Sequence, residues 1–212
     1  INPSRLLGST LHIMGQEGLI RFGPVVPIEQ ERIEEIEDNA VIEMSSQQRL
    51  KVIYTPGHAA HHLCFYEERN KGLFAGDAIG MYFPEAKVLF PEATPHDFNL
   101  DLTLKSIEKI KQLPLEILYF THFGASGGVE KMLQVAQNSL RFWGDVVYQA
   151  RDTDPRNVFE KVKEVMLGEI WKQTEIMQQQ MTTHNFHTEK LFPLFVAGYL
   201  DYFNKVSEGK AG

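Results

Sequence analysis

Cysteine is almost absent from these 212 residues: Cys64 stands alone, which excludes an internal disulfide. Clustered basic charge is absent too. Lys and Arg number 21 against 28 Asp and Glu, a net charge of −7. Nucleic acid and anionic membrane surfaces are bound by groups of cations that neutralise several phosphates, so neither partner fits this chain. The longest strongly apolar stretch, Leu191 to Leu200, falls far short of the roughly 20 residues a bilayer-spanning helix needs. It also contains Pro193 and Gly198. No signal-peptide pattern opens the sequence. These absences lead to the expectation of a soluble, cytoplasmic protein that acts on a small molecule. At 43% hydrophobic and 23% charged residues, the composition is that of a chain able to bury a core.

What is present divides near Ser126. The acidic excess is local: Glu29, Glu31, Glu34, Glu35, Glu37, Asp38 and Glu43 face only Arg32. Short strand-like runs follow at 50–54, 63–66 and 73–75, the last two joined by a polar hairpin turn through Glu67, Asn70 and Gly72. A helix is expected from Asn99 to about Leu113, stopped by Pro114, and then a strand over 115–120. Residues 2 to 16 read as a short helix. Beyond Ser126 the pattern is helical. Val129, Met132, Leu133, Ala136, Leu140, Trp143, Val147 and Ala150 recur at steps of three and four and so line one helix face. Asp154-Pro155 opens a second helix, Trp171, Ile176 and Met177 mark a third, and Leu191, Phe195, Tyr199 and Phe203 a fourth. Pro193 suits that last helix only in its first turn. The fold class is α/β, an α+β arrangement in layers. Residues 1–125 form the layered part, and 126–212 a helical appendage through which a homodimer could form.

Three residues with ligand chemistry occupy equivalent places. His58 follows strand 50–54 through Thr-Pro-Gly, Asp77 follows strand 73–75 through Gly76, and His122 follows strand 115–120 through Thr121. Strand ends fix the backbone while leaving side chains in open space, which is how sites are assembled. Two imidazoles and a carboxylate suit zinc, iron or manganese. Thr55-Pro56-Gly57-His58, Leu73-Phe74-Ala75-Gly76-Asp77 and Tyr119-Phe120-Thr121-His122-Phe123-Gly124 resemble the last three metal motifs of the metallo-β-lactamase superfamily, in order and spacing. The resemblance spans roughly residues 1–125.

That resemblance implies an αββα sandwich with a two-metal site at one sheet edge, zinc being the first expectation and iron or manganese the alternatives. His58 would bind the first ion, Asp77 would bridge both as the catalytic carboxylate, and His122 would bind the second. A bridging water or hydroxide acidified by two cations would serve as nucleophile. The implied activity is hydrolysis of a small ester, thioester, lactone or related substrate. Alternatives are a di-iron oxidoreductase or oxygen-binding protein, and a non-catalytic interaction protein with a vestigial site. The family's leading His-x-His-x-Asp-His motif is missing, since His12, His58, His61, His62, His96, His122, His184 and His187 nowhere form it. The expectation is therefore a sandwich without its N-terminal half rather than a degenerate member, and an inactive chain on its own. One sheet face, lined by Val52, Tyr54, Leu63, Phe65, Leu73, Ile117 or their neighbours, would then lack its cover.

Other residues have more modest readings. His62 is expected to hydrogen-bond locally and fix the His58 loop rather than ligate. The segment from Gly80 to Phe98, long and rich in proline and aromatics, reads as a loop beside the metals, with Tyr82 and His96 nearest the substrate. His184 and His187 read as a surface pair, with Glu189 the nearest carboxylate, and Cys64 as a core residue.

Overall fold

The structure is a computed structural model. It describes residues 23–84, 88–122, 124–154 and 188–210. It also describes isolated positions at 3–4, 7–8, 11, 15–16, 19–20, 157–158, 160–162 and 164. The helix expected through Trp171, Ile176 and Met177 and the His184/His187 pair lie outside the described residues, as does most of the helix expected over 2–16. The chain divides into two compact units, 1–36 and 37–212. Among the described residues of the first, positions 4, 7–8, 11, 15–16 and 19–20 are helical, and Gln30–Arg32 forms a 3-10 turn with no buried residue.

The second unit is built on a six-stranded sheet. Its strands are β1 (Val41–Glu43), β2 (Arg49–Tyr54), β3 (Leu63–Glu67), β4 (Gly72–Phe74), β7 (Ile117–Tyr119) and β8 (Ala125–Ser126), in that spatial order. All neighbours are antiparallel except β4 and β7. Strands β2 and β4 both run against β3, so β2, β4 and β7 point the same way. Their C-terminal ends therefore share one sheet edge. Loops at the carboxyl ends of parallel strands are where open sheets gather ligands. The three loops carrying His58, Asp77 and His122 leave from this edge.

The connection from β4 to β7 holds a separate hairpin, β5 (Met81–Phe83) with β6 (Val88–Phe90), and helix α1 (Leu100–Ile110). The hairpin corrects the expectation of an unstructured loop over 80–98. Met81, Tyr82, Phe83, Leu89 and Phe90 are all buried, so neither strand alternates between apolar and polar residues and neither announces a period of two. Helix α1 begins as expected: the Asn99 side chain caps it by accepting from the Leu102 N–H at 3.0 Å. Asp101 in the first turn and Lys109 in the last complement the helix dipole.

Helix α2 (Val129–Ala150) buries Leu133, Ala136, Leu140, Trp143, Val147 and Ala150 on one face, as its periodicity predicts. It packs against α1, β6 and helix α3 (Thr188–Ser207). The change of composition near residue 126 marks where strands give way to helices, and the helices beyond it share their core with the sheet. Pro193 sits inside α3, not in its first turn as expected. The cost is one backbone hydrogen bond near the helix start, which the packing of Phe195, Val196, Tyr199 and Tyr202 into the core offsets. Tyr199 is wholly buried, and its hydroxyl donates to the Leu140 carbonyl at 2.9 Å, tying α3 to α2. No helix among the described residues is long and apolar enough to cross a membrane.

Candidate metal centre

Each of the three expected ligands reaches the sheet edge on a short, fixed tether. The loop after β2 is held to the start of α1, where the Asn99 N–H donates to the Gly57 carbonyl at 2.7 Å and the Ser106 hydroxyl to the Pro56 carbonyl at 2.7 Å. At the end of β4, the Ala75 N–H donates to the Tyr119 carbonyl of β7 at 3.0 Å. The next residue, Gly76, has φ +53°, and a Cβ there would collide with Nε2 of His62. Glycine is therefore required before Asp77 on two counts, backbone conformation and space.

The three expected ligands converge. His58 Nε2 lies 3.6 Å from Asp77 Oδ2, and His122 Nε2 lies 3.7 Å from Asp77 Oδ1. Each carboxylate oxygen thus faces a different imidazole. The His58 ring is oriented from behind: its Nδ1 is 2.8 Å from the Glu92 carbonyl, an acceptor only, so Nδ1 carries a proton and Nε2 is turned toward Asp77.

His62 stands behind the cluster. Its Nε2 accepts from the Asp77 N–H at 3.0 Å, and its Nδ1 donates to the Thr55 hydroxyl at 2.9 Å. The ring fixes the Asp77 backbone as much as the His58 loop. Burial, reinforced by the neighbouring His58, pushes its pKa down to about 4, so the ring is neutral at physiological pH. His122 is also lowered, again first by burial, with Asp77 opposing and His58 adding to the shift.

A fourth group was not visible in the sequence. Glu92, with 6% of its side chain exposed, brings Oε1 to 3.4 Å from His122 Nε2. His58, Asp77 and Glu92 each offer a ligand atom, all within 4.8 Å of one another. Burial first, and then the Asp77 charge, raise the Glu92 carboxyl well above the usual carboxylate range. The one available signal was a lone acid in the otherwise apolar and proline-rich run from Val88 to Pro95.

The other expected site residues lie elsewhere. Tyr82 is buried in β5 with its ring stacked on Phe120 at 4.8 Å between centroids, a core position. His96 is exposed and held by its backbone to α3: its N–H donates to Asp201 Oδ2 at 3.0 Å and its carbonyl accepts from Lys205. The structure does not bring it into the cluster. Cys64 is fully buried between strands, its thiol donating to the Ala75 carbonyl at 3.2 Å, and burial pushes that thiol up to about 12. It is a core residue, inert as a nucleophile.

The donors fit a metal. Asp77 Oδ1 is buried with no hydrogen-bond partner among the described residues, an arrangement that costs free energy unless something positive completes it. His122 faces that atom, His58 faces the other Asp77 oxygen, and Glu92 lies beside His122, so the cluster supplies the ligand types of zinc, iron and manganese proteins.

A mixed sheet whose strand ends hold His, Asp and His in this order defines a metal-binding hydrolase-type fold. The family model described as the metallo-beta-lactamase superfamily matches residues 12–122, and the chain belongs to that superfamily. It is similar to the metallo-beta-lactamase fold-containing protein ST1585 of Sulfurisphaera tokodaii, 28% identical over 123 residues, which cover 58% of this chain and 42% of that protein. The crystal structure of ST1585 matches at 25% identity with TM-score 0.53, over 66% of this chain and 50% of that one. The family protein TTHA1429 from Thermus thermophilus shares the fold at 17% identity and TM-score 0.54, over 81% of this chain and 49% of its own. The chain thus spans about half the length of these relatives.

Proposed function

We propose that the chain contributes to the active site of a metal-dependent hydrolase that cleaves a small ester, thioester or lactone. The observation that carries this reading is the posture of Asp77, whose Oδ2 faces His58 while Oδ1 faces His122. A carboxylate so placed suits two cations, zinc before iron or manganese, with His58 on one side and His122 on the other. When bound, such cations supply the Lewis acidity that generates a nucleophile from water near neutral pH and stabilises charge on the scissile carbonyl oxygen. Further ligands to a second cation belong, in this reading, to the family's His-x-His-x-Asp-His motif, which these 212 residues do not contain.

The chain's own residues set the site's precision. His58 presents Nε2 because the Glu92 carbonyl holds its other nitrogen, and Asp77 is aimed by its backbone bond to His62. The buried 89–93 segment walls off the inner side of the cluster, leaving His58, Asp77 and His122 half-buried toward the open edge. The net negative charge disfavours polyanionic substrates such as nucleic acids. Asp77→Ala in the metal-loaded enzyme should lower turnover of an aryl ester, thioester or lactone by at least about 100-fold. Metal content, read by elemental analysis, should fall with it. Unchanged turnover would overturn the two-cation reading.

A further inference from the structure

Helix α3 is far from the three metal motifs in sequence, yet it grips the backbone that orients His58. From this we infer that Asp201, together with Lys205, is a positioning residue of the metal centre, which aims the His58 imidazole through the 92–96 backbone. The inference rests on the metal-centre reading above and adds to it the residues that direct one of its ligands.

The contacts form a chain from helix to ligand. His58 is held by two neighbours on one short segment: its Nδ1 donates to the Glu92 carbonyl at 2.8 Å, and its own carbonyl accepts from the Thr94 hydroxyl at 3.4 Å. The direction of the ring therefore follows where residues 92–94 lie. That segment is placed by α3. At Gly198 the helix approaches so closely that a Cβ would collide with the Ala93 carbonyl, and glycine, unfavourable inside a helix, is what permits the contact. One turn on, α3 takes up both backbone polar groups of His96. The His96 N–H donates to Asp201 Oδ2 at 3.0 Å, and its carbonyl accepts from Lys205 Nζ at 2.6 Å. Asp201 and Lys205 also pair with each other at 2.8 Å. Positions 198, 201 and 205 stand at steps of three and four, on one face of the helix. His96 has φ +74°, a conformation that costs a non-glycine residue free energy and persists only where its surroundings fix it. Here one carboxylate and one ammonium group fix it. Such support behind a ligand is what holds its donor atom in place.

Imidazole nitrogen signals of the metal-free chain, together with zinc affinity from competition with a chromophoric chelator, test this. Asp201→Ala removes the acceptor for the His96 N–H. The His58 Nδ1–H signal should then shift and exchange faster, whereas His62, held by Thr55 and Asp77, should not move. Zinc binding should weaken about 10- to 100-fold, the range for loss of a partner behind a ligand. Asp201→Asn still offers His96 an oxygen and should restore both readouts; failure of this rescue would overturn the role given to the acceptor. If Asp201→Ala does not fold, Lys205→Met, a change at a partly exposed position, removes the other anchor and should move His58 in the same way. A folded variant with wild-type zinc affinity and an unmoved His58 signal would overturn the inference. Equal disturbance of His58 and His62 would overturn it too, since that reports general loosening. A wild-type chain that binds no zinc would instead overturn the metal-centre reading, and the two ring signals would still decide whether α3 aims His58.

Discussion

At the site, individual side chains divide into those that face the open edge and those that hold them. His62 belongs to the second kind, and its environment makes a pH prediction. An unfolded histidine titrates near 6.5, whereas folded His62 does so at about 4, chiefly because it is buried. Between these values the unfolded chain binds a proton that the folded chain does not. The metal-free protein should therefore lose stability as pH falls from about 6.5 to about 4, and above 6.5 His62 adds no slope. Urea unfolding at pH 7 and pH 5 measures this. His62→Gln, which cannot titrate, should show a flatter dependence over that window, and identical slopes in the two proteins would contradict the assignment of a neutral ring. Legibility at this scale followed local pattern. His58, Asp77 and His122 could be read because each trails a strand by a few residues of recognisable type. Glu92 could not, because its nearness to them arises from how the 91–94 segment is pressed beneath α3, a contact between residues far apart in sequence.

Elements show the same division. Strands β2, β3 and β4 and helix α1 were legible because turn residues bracket them and their caps are local: Asn99 before α1, Pro114 after it, the polar hairpin between β3 and β4. Strands β1 and β8 were not, being three and two residues long and defined mainly by what they pair with. The hairpin β5–β6 was hidden by its burial on both faces. What positions the site is the turn between β4 and Asp77, and Gly76 is its critical residue. Gly76→Ala places a Cβ at φ +53° and against the His62 ring. Backbone strain of that kind costs about 1–3 kcal/mol before any collision is counted. Chemical denaturation should show at least that loss. The His62 ring should also shift away from the Asp77 N–H, visible as a changed imidazole nitrogen signal. A Gly76→Ala protein with wild-type stability and an unmoved His62 would mean the turn relaxes more easily than its contacts imply.

At the scale of the whole molecule, the two faces of the sheet differ among the described residues. Register places Ile53, Cys64, Tyr66, Leu73 and Leu118 on the covered face, all buried with the helices and the β5–β6 hairpin in one core. Tyr54, Leu63, Phe65, Phe74, Ile117 and Tyr119 occupy the other face. There Tyr54 is 41% and Phe74 46% exposed, with Phe74 stacked on Tyr119 at 4.8 Å between ring centroids. Leu63, Phe65, Ile117 and Tyr119 on that face are half-buried. Leu73, expected there, points into the core instead, and Val52 is buried despite lying on that side. Neighbours along one strand thus face opposite environments, which sets up a sharp comparison. Leu73→Ala empties a fully buried site and should cost about 2–5 kcal/mol. Phe74→Ser, one residue on, removes a ring already half in solvent and should change stability by no more than about 0.5 kcal/mol. The same substitution should lower concentration-dependent self-association in light scattering, because it breaks up a contiguous apolar patch. If Phe74→Ser instead costs as much as Leu73→Ala, the face carrying Phe74 is buried in solution, and the sheet is packed on both sides.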